Sequence, residues 1–167
     1  MKVIRHLFSM ILPIFALIVI PLLIENDFTL QSIWTSVFGF VFIGSGFTVL
    51  ALTIRMFVLI GEGTLAPWDP TRKLVTCSLY GHVRNPMILG VLITLLGEAM
   101  LFTSFRIGAW AALFFIINTL YFICSEEPGL ERRFGAEYVE YKQNVPRWIP
   151  RLEAWSPVKE DSCMLKK

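Results

Sequence analysis

Charged residues are scarce in this chain of 167 residues. They make up only 17% of the sequence, and 55% of the residues are hydrophobic. A soluble domain contains about 25% charged residues. The formal net charge of +2 is too small to indicate a nucleic-acid partner. The three cysteines, Cys77, Cys124 and Cys163, lack the spacing of metal ligands, so we expect free thiols and no metal site.

The chain contains four long apolar runs instead. They cover residues 7–24, 32–60, 87–105 and 107–124. At about 1.5 Å per residue, each is long enough to cross a hydrocarbon core, which needs about 20 apolar residues. The first run is longer than the apolar part of a signal peptide, so we expect it to be a true span. The sequence predicts an all-α integral membrane protein with about four transmembrane helices.

The positions of the basic residues predict the orientation of these helices. Four spans place 14 of the 15 lysines and arginines on one side, with Arg106 as the exception. The positive-inside rule assigns that side to the cytoplasm. We therefore expect both termini and the loop between the second and third spans to be cytoplasmic. The absence of cleavable targeting and of disulfide pairs favours a prokaryotic plasma membrane.

Small residues in the second run predict close helix packing. Gly39, Gly44, Ser45 and Gly46 form a stripe where another helix can approach.

Two polar segments on the predicted cytoplasmic side contain charged residues in unusual places. Pro86 suits the first turn of the third helix, after Asn85 as N-cap and Arg84. Glu126 and Glu127 follow the fourth span, where the helix dipole disfavours negative charge. We interpret this pair as having a cationic partner, either Arg84 or a positively charged ligand. Alternatively, Ser125 caps a new helix whose first turn accommodates both glutamates.

The segment after the glutamates predicts an amphipathic helix. Leu130, Phe134, Tyr138 and Tyr141 recur at spacings of four, four and three residues. This stripe must cover something apolar, either the membrane surface or a pocket beneath it. We expect one domain over residues 1–151 and a polar, disordered tail over residues 152–167.

In this order, these segments resemble the isoprenylcysteine carboxyl methyltransferase family and its relatives among phospholipid N-methyltransferases. The similarity runs from about Gly61 to Arg151. It includes Gly61-x-Gly63, Leu74-Val75, Tyr80-x-x-x-Arg84-Asn85-Pro86, Glu126-Glu127-x-x-Leu130, Phe134-Gly135-x-x-Tyr138-x-x-Tyr141 and Val145-Pro146-Arg147. Members of the family are small multi-pass enzymes that bind S-adenosylmethionine on the cytoplasmic side. They methylate lipid-borne groups that enter from the bilayer.

The resemblance implies a set of residues around S-adenosylmethionine. These are Leu74, Val75, Tyr80, Arg84, Asn85, Pro86, Met87, Ile88, Glu126 and Glu127. Carboxylates suit the sulfonium, the amino group and the ribose hydroxyls of this molecule. Its own carboxylate would bind Arg84 or a backbone N–H near a helix start.

Three positions depart from the family pattern. Asn85 replaces a histidine and Ile88 a tyrosine, and Phe122 occupies the place of an arginine linked to the substrate in the prenylcysteine enzymes. Asparagine does not titrate, which removes an acid or base at that position. His82 and Tyr80 are the loop candidates for a base, and no catalytic residue is assigned.

The resemblance predicts a membrane methyltransferase that uses S-adenosylmethionine on a lipophilic acceptor. The acceptor would be an isoprenylcysteine-type carboxylate, an isoprenoid, a phospholipid amine or a thiol. Its partners are the lipid bilayer and this amphiphilic acceptor, and the oligomeric state stays open. One alternative is a membrane reductase of the sterol-reductase type using NADPH, although paired glutamates disfavour a polyanionic dinucleotide. The other is a small membrane protein without enzymatic activity.

Overall fold

The computed structural model describes residues 11–59 and 74–156. These ranges are helical and contain no strand, which confirms the predicted all-α class. They divide into two compact units. The first contains residues 11–51 and 87–119, and the second contains residues 52–59, 74–86 and 120–156.

The helices follow the predicted apolar runs. They are α1 (Ile11–Ile24, with a π-helical turn at Phe15–Val19), α2 (Ile33–Leu59), α3 (Leu79–His82), α4 (Pro86–Leu101) and α5 (Phe105–Tyr121). A π-helical turn, Phe122–Glu126, joins α5 to α6 (Glu127–Phe134), and α7 (Ala136–Asn144) follows. The helix α4 begins at Pro86 as predicted. Proline suits the first turn because it has no N–H, and the N–H groups of a first turn have no partner within the helix.

Two helices are long and apolar enough to cross a membrane. Ile33–Met56 has a mean hydropathy of 2.2, and the continuous helix Phe105–Phe134 has one of 2.0. Only 22% of the apolar stretch of the first helix, and 17% of that of the second, is buried within the protein. Their outward apolar side chains, such as Trp34 at 72% exposed, therefore form a surface that suits lipid. The helices α1 and α4 are apolar but shorter, so four spans remain a prediction.

In the first unit, α2 and α4 approach each other closely at glycines. A Cβ atom added at Gly39 would lie 2.9 Å from the carbonyl oxygen of Gly97. One added at Gly46 would lie 2.7 Å from the carbonyl oxygen of Gly90. Both distances are too short for a real Cβ, so the contact requires glycine.

The predicted small-residue stripe is right at Gly39 and Gly46. A Cβ at Gly44 would have nothing within 4 Å, and Ser45 is exposed. The partner glycines on α4 were not predicted, because the sequence does not tell which helix faces the stripe.

An apolar core connects helices within the first unit. Its buried members are Ala16, Leu17, Leu50, Val91, Leu95 and Ala111. The indole Nε1 of Trp110 donates a hydrogen bond to the carbonyl oxygen of Ala16 at 3.0 Å, which ties α5 to α1.

In the second unit, the predicted amphipathic helix is divided at Gly135. This residue has φ of 56°, in the left-handed region that favours glycine, so α6 ends and α7 begins there. The predicted stripe nevertheless packs together: Tyr138 and Tyr141 share an apolar cluster with Leu74 and Val145. The stripe therefore covers residues of its own unit.

Two sequence predictions extend beyond the described residues. The Gly61-x-Gly63 motif lies outside them, as do residues 157–167 of the predicted tail. Residues 152–156 are described, and Trp155 packs against the cluster of Tyr138 and Tyr141. The predicted domain boundary at residue 151 stays a prediction.

Candidate functional site

A cavity of about 80 Å³ lies within the second unit. Its wall comes from the segment 74–85, from the π-helical turn after α5, and from α6 and α7. The lining residues are Leu74, Val75, Tyr80, Arg84, Asn85, Phe122, Glu126, Glu127, Leu130, Tyr138 and Tyr141. The wall is largely apolar and aromatic, with a few charged side chains, which is the usual composition of a small-molecule site.

Seven of the ten residues predicted around a ligand lie on this wall. They are Leu74, Val75, Tyr80, Arg84, Asn85, Glu126 and Glu127. The other three, Pro86, Met87 and Ile88, do not line it. Pro86 is buried at the start of α4, Met87 packs against the apolar core of the first unit, and Ile88 is half-buried. Their assignment stays a prediction.

The π-helical turn Phe122–Glu126 places two of the lining side chains. A π-helical turn widens the helix and shifts the register of the residues after it, and such turns are frequent at functional sites. The helix is continuous through this turn, so the expected alternative of a new helix capped by Ser125 is not observed. Phe122 is buried, and its ring centroid lies 5.8 Å from that of Trp148.

The carboxylate of Glu127 is surrounded by three cations. Arg147 Nε donates a hydrogen bond to Oε1 at 2.7 Å, and Arg84 Nη1 lies 3.1 Å from the same oxygen. Lys142 Nζ lies 3.4 Å from Oε2. Glu127 is only 5% exposed, so its charge is compensated by these neighbours rather than by water. Of the two cationic partners expected for the glutamates, the structure shows Arg84, and it shows it for Glu127 only.

Glu126 has different surroundings. Its side chain is half-buried and lines the cavity. Within residues 11–59 and 74–156 its carboxylate makes no hydrogen bond or ion pair, although Arg133 contributes a positive charge nearby. A partly buried carboxylate without a partner is costly, and a cationic ligand would remove that cost.

Arg84 also has an unused donor. Its side chain is 11% exposed, and its Nη1 lies 3.1 Å from Oε1 of Glu127. Its buried Nε–H has no hydrogen-bond acceptor in the described part of the chain. Buried donors are nearly always satisfied, so this N–H suits an acceptor atom of a bound molecule. Two residues of the cavity wall, Arg84 and Glu126, thus each have a polar group without a hydrogen-bond partner among residues 11–59 and 74–156.

The aromatic side chains of the wall are fixed by their own contacts. The Tyr141 hydroxyl donates to the backbone oxygen of Tyr80 at 2.8 Å. Burial raises the pKa of Tyr80 well above its usual value, and burial also raises the pKa of Tyr141. Both hydroxyls therefore stay protonated at neutral pH, which disfavours Tyr80 as a base; it was a candidate without an assigned role.

His82, the other predicted base candidate, does not line the cavity. Its Nδ1 lies 2.7 Å from the backbone oxygen of Arg151. The ring therefore holds the C-terminal segment in place.

This C-terminal segment is hydrogen-bonded to the segment that contains Arg84, a pairing that the sequence did not predict. The backbone N–H of Arg84 donates to the carbonyl oxygen of Pro146 at 2.9 Å. The N–H groups of Arg151 and Trp155 donate to the carbonyl oxygens of His82 and Gly81, each at 2.9 Å. These three bonds connect the C-terminal segment to the segment that contains Arg84 and fix its position. Backbone pairing between distant irregular segments has no sequence signal.

Comparisons with known proteins give methyltransferases. The chain is 36% identical over 82 residues to a protein-S-isoprenylcysteine O-methyltransferase of Schizosaccharomyces pombe, a match that covers 47% of this chain and 34% of that protein. It is 36% identical over 76 residues to methanethiol S-methyltransferase 2 of Bradyrhizobium diazoefficiens, which covers 46% of this chain and 28% of that protein. The matches thus span about a third of the relatives' lengths or less. No solved structure matches the chain significantly.

A family model described as phospholipid methyltransferase matches residues 34–137, more than half of the chain. The matched region includes all ten residues predicted around a ligand. The resemblance inferred from the motifs is confirmed, and the chain belongs to the phospholipid methyltransferase family, with similarity to the isoprenylcysteine-type enzymes.

Proposed function

We propose that this protein is a membrane methyltransferase that binds S-adenosylmethionine in the cavity of the second unit. The observation that carries the proposal concerns two residues of one cavity wall, Arg84 and Glu126. The Arg84 Nε–H and the Glu126 carboxylate have no hydrogen-bond partner among the described residues. The amino-acid end of S-adenosylmethionine carries a carboxylate and an ammonium. Two such groups match a zwitterion better than they match a polyanion.

The residues of the wall fit this ligand in a specific way. Arg84 would bind the ligand's carboxylate as a donor, because its positive charge is permanent and its Nε–H has no acceptor among the described residues. Glu126 would face the ammonium or the sulfonium. When bound, S-adenosylmethionine supplies an activated methyl group. The residues of the wall orient the ligand and exclude water, and orientation alone can contribute about 7–11 kcal/mol to such reactions.

The volume of the cavity limits how much of a ligand the described residues enclose. About 80 Å³ is smaller than the roughly 300–1,000 Å³ of ordinary ligand pockets. The described wall would therefore enclose only part of S-adenosylmethionine. We propose that the charged part described here binds the amino-acid end, and that other residues of the chain bind the rest.

The proposed placement in the membrane follows from the apolar helices. We propose four crossings, with α1 and α4 beside the two long helices, and both termini in the cytoplasm. The second unit, with its basic residues Arg84, Lys142 and Arg147, would then lie at the cytoplasmic face. An amphiphilic acceptor would reach the cavity from the bilayer. A prokaryotic plasma membrane remains part of this proposal.

The acceptor is proposed as a class. The relatives' names include an isoprenylcysteine and methanethiol, and the family name includes phospholipids. An isoprenylcysteine-type carboxylate, an isoprenoid, a phospholipid amine and a thiol are thus the candidates. Phe122 on the wall gives a carboxylate acceptor no cationic partner at that position.

The two alternatives have less support. Both relatives are methyltransferases, which gives no support to a reductase that uses NADPH. A protein without enzymatic activity would not need wall residues whose polar groups have no partner in the described part of the chain, as Arg84 and Glu126 do.

The proposal is tested by calorimetry on the detergent-purified full chain. We expect S-adenosylmethionine and S-adenosylhomocysteine to bind, and NADPH not to bind. Glu126→Gln should weaken binding by about tenfold or more, since a hydrogen bond to a charged group contributes about 1.5–3 kcal/mol. The control is Glu137→Gln, which changes an exposed glutamate in the first turn of α7.

Two results would contradict the proposal. One is a folded protein that binds neither sulfur compound. The other is equal affinity for them in Glu126→Gln and in the unaltered chain, which would remove Glu126 from the site.

A further inference from the structure

We infer that Arg147 is a positioning residue, whose guanidinium holds Glu127 and, through Glu127, fixes Arg84 on the cavity wall. This inference rests on the proposed function, since it concerns the group proposed to bind the carboxylate of S-adenosylmethionine. Arg147 itself does not line the cavity.

A single carboxylate oxygen connects the two arginines. Oε1 of Glu127 accepts a hydrogen bond from Arg147 Nε at 2.7 Å and lies 3.1 Å from Arg84 Nη1. The Arg147 bond is the shorter one and has good hydrogen-bond geometry. The Arg84 contact is an ion pair without that geometry, since Nη1 has no hydrogen-bond partner among the described residues. Arg147 therefore sets the position of the oxygen, and Arg84 follows it.

The backbone closes this arrangement into a ring. Arg84 N–H donates to the carbonyl oxygen of Pro146, the residue immediately before Arg147. Arg84 is thus held twice by the same short segment, once through its backbone and once through Glu127. Such a closed arrangement restricts the arginine to few conformations, and restriction before binding lowers the entropic cost of binding.

Lys142 does not have the same role. Its Nζ lies 3.4 Å from Oε2 of Glu127 but 2.7 Å from Oε1 of Glu131, and its side chain is 38% exposed. The lysine charge is therefore shared with another carboxylate and with water. Without Arg147, the Glu127 carboxylate would turn towards Lys142, and Arg84 would lose its fixed partner.

Two ligands separate positioning from general damage. S-adenosylhomocysteine has the carboxylate that Arg84 is proposed to bind, whereas 5′-methylthioadenosine has the same nucleoside but lacks the amino-acid end. Calorimetry on the full chain in detergent measures both affinities. Arg147→Ala should lower the affinity for S-adenosylhomocysteine by about tenfold. It should change the affinity for 5′-methylthioadenosine by less than about twofold.

Further variants keep the test decisive. Arg147→Lys retains the charge without the rigid guanidinium, so it should recover part of the affinity for S-adenosylhomocysteine. If Arg147→Ala does not fold, Arg147→Lys should show the same selective loss to a smaller degree. Arg132→Ala removes an exposed arginine of α6 and should change neither affinity.

The outcomes distinguish this inference from the proposed function. If the unaltered chain binds both ligands and the Arg147 variants weaken both equally, or neither, Arg147 does not position Arg84 and the inference is wrong. If the unaltered, folded chain binds neither ligand, the proposed function is wrong and the inference with it.

Discussion

Glu126 and Glu127 are neighbours in the chain, but only the carboxylate of Glu127 is held by cations. Arg147 donates to Glu127 Oε1 at 2.7 Å, whereas Glu126 lines the cavity without a hydrogen bond or ion pair to the described residues. The two carboxylates therefore have different roles. Glu127 maintains the shape of the wall, and Glu126 is the carboxylate that we propose to face a ligand.

We predict that Glu127→Gln lowers the free energy of unfolding by about 3 kcal/mol, because it leaves three cations around a buried neutral amide. Glu126→Gln should change it by less than about 0.5 kcal/mol, because no ion pair is lost. Denaturant unfolding in detergent, followed by tryptophan fluorescence, measures both. Equal losses in the two variants would show that the carboxylates share one role.

The packing of α2 on α4 predicts opposite effects for two nearby glycines. Gly46→Ala should destabilise the protein by about 1–3 kcal/mol, because the new Cβ would lie 2.7 Å from the carbonyl oxygen of Gly90. Gly44→Ala is the matched control, since its Cβ meets nothing within 4 Å. Alanine there should be neutral or stabilise the helix by up to about 1 kcal/mol. Thermal unfolding of both variants checks this, and a destabilising Gly44→Ala would contradict the helix pairing.

The C-terminal segment should contribute to stability through Trp155. The centroid of its ring lies 5.8 Å from that of Tyr141, and its backbone N–H donates to the carbonyl oxygen of Gly81. Because the side chain is half-buried, Trp155→Ala should cost about 1–3 kcal/mol. Leu152→Ala is the control, since Leu152 is 100% exposed. If both variants have the same free energy of unfolding as the unaltered chain, the segment after residue 151 is not part of the folded unit.

Alkaline pH should unfold the second unit. Burial raises the pKa of Tyr80, Tyr138 and Tyr141. The folded state then holds these protons more tightly than the unfolded state. The stabilisation is fully present below the ordinary pKa of about 10 and is lost as the pH rises through the raised values.

Tyrosinate absorbance measures this directly. Of the four tyrosines in the chain, these three should ionise only together with unfolding, which circular dichroism follows in the same sample. Ionisation of all four with an ordinary pKa, before any loss of helix, would contradict the burial of these side chains.

Much of the fold could be predicted because helices and membrane spans depend on local composition. The apolar runs predicted α2, α4 and α5 to within a few residues, since a long apolar run has few other stable forms. The break at Gly135 was not predicted. A glycine inside a helical pattern is compatible with either continuation or a left-handed residue, and only packing selects between them.

The site was predictable as a set of residues but not as an arrangement. The motifs gave Arg84, Glu126 and Glu127, and all three line one cavity. They placed Phe122 at a position linked to the substrate and Tyr138 in a stripe covering either the membrane surface or a pocket. The choice of the pocket depends on the π-helical turn and on the way α7 packs. The motifs did not separate the roles of the two glutamates.

The sequence by itself determined the helical class, the apolar runs and the family, because these depend on composition and on residues close together in the chain. Tertiary structure alone decided which glutamate is paired. Arg84, Glu127 and Arg147 are distant in the sequence, and their contact exists only where the C-terminal segment hydrogen-bonds to the segment before α4. A charge-assisted hydrogen bond needs a donor–acceptor distance of about 2.7–2.9 Å, so which carboxylate is paired among the described residues depends on ångström-scale positions that no local pattern encodes.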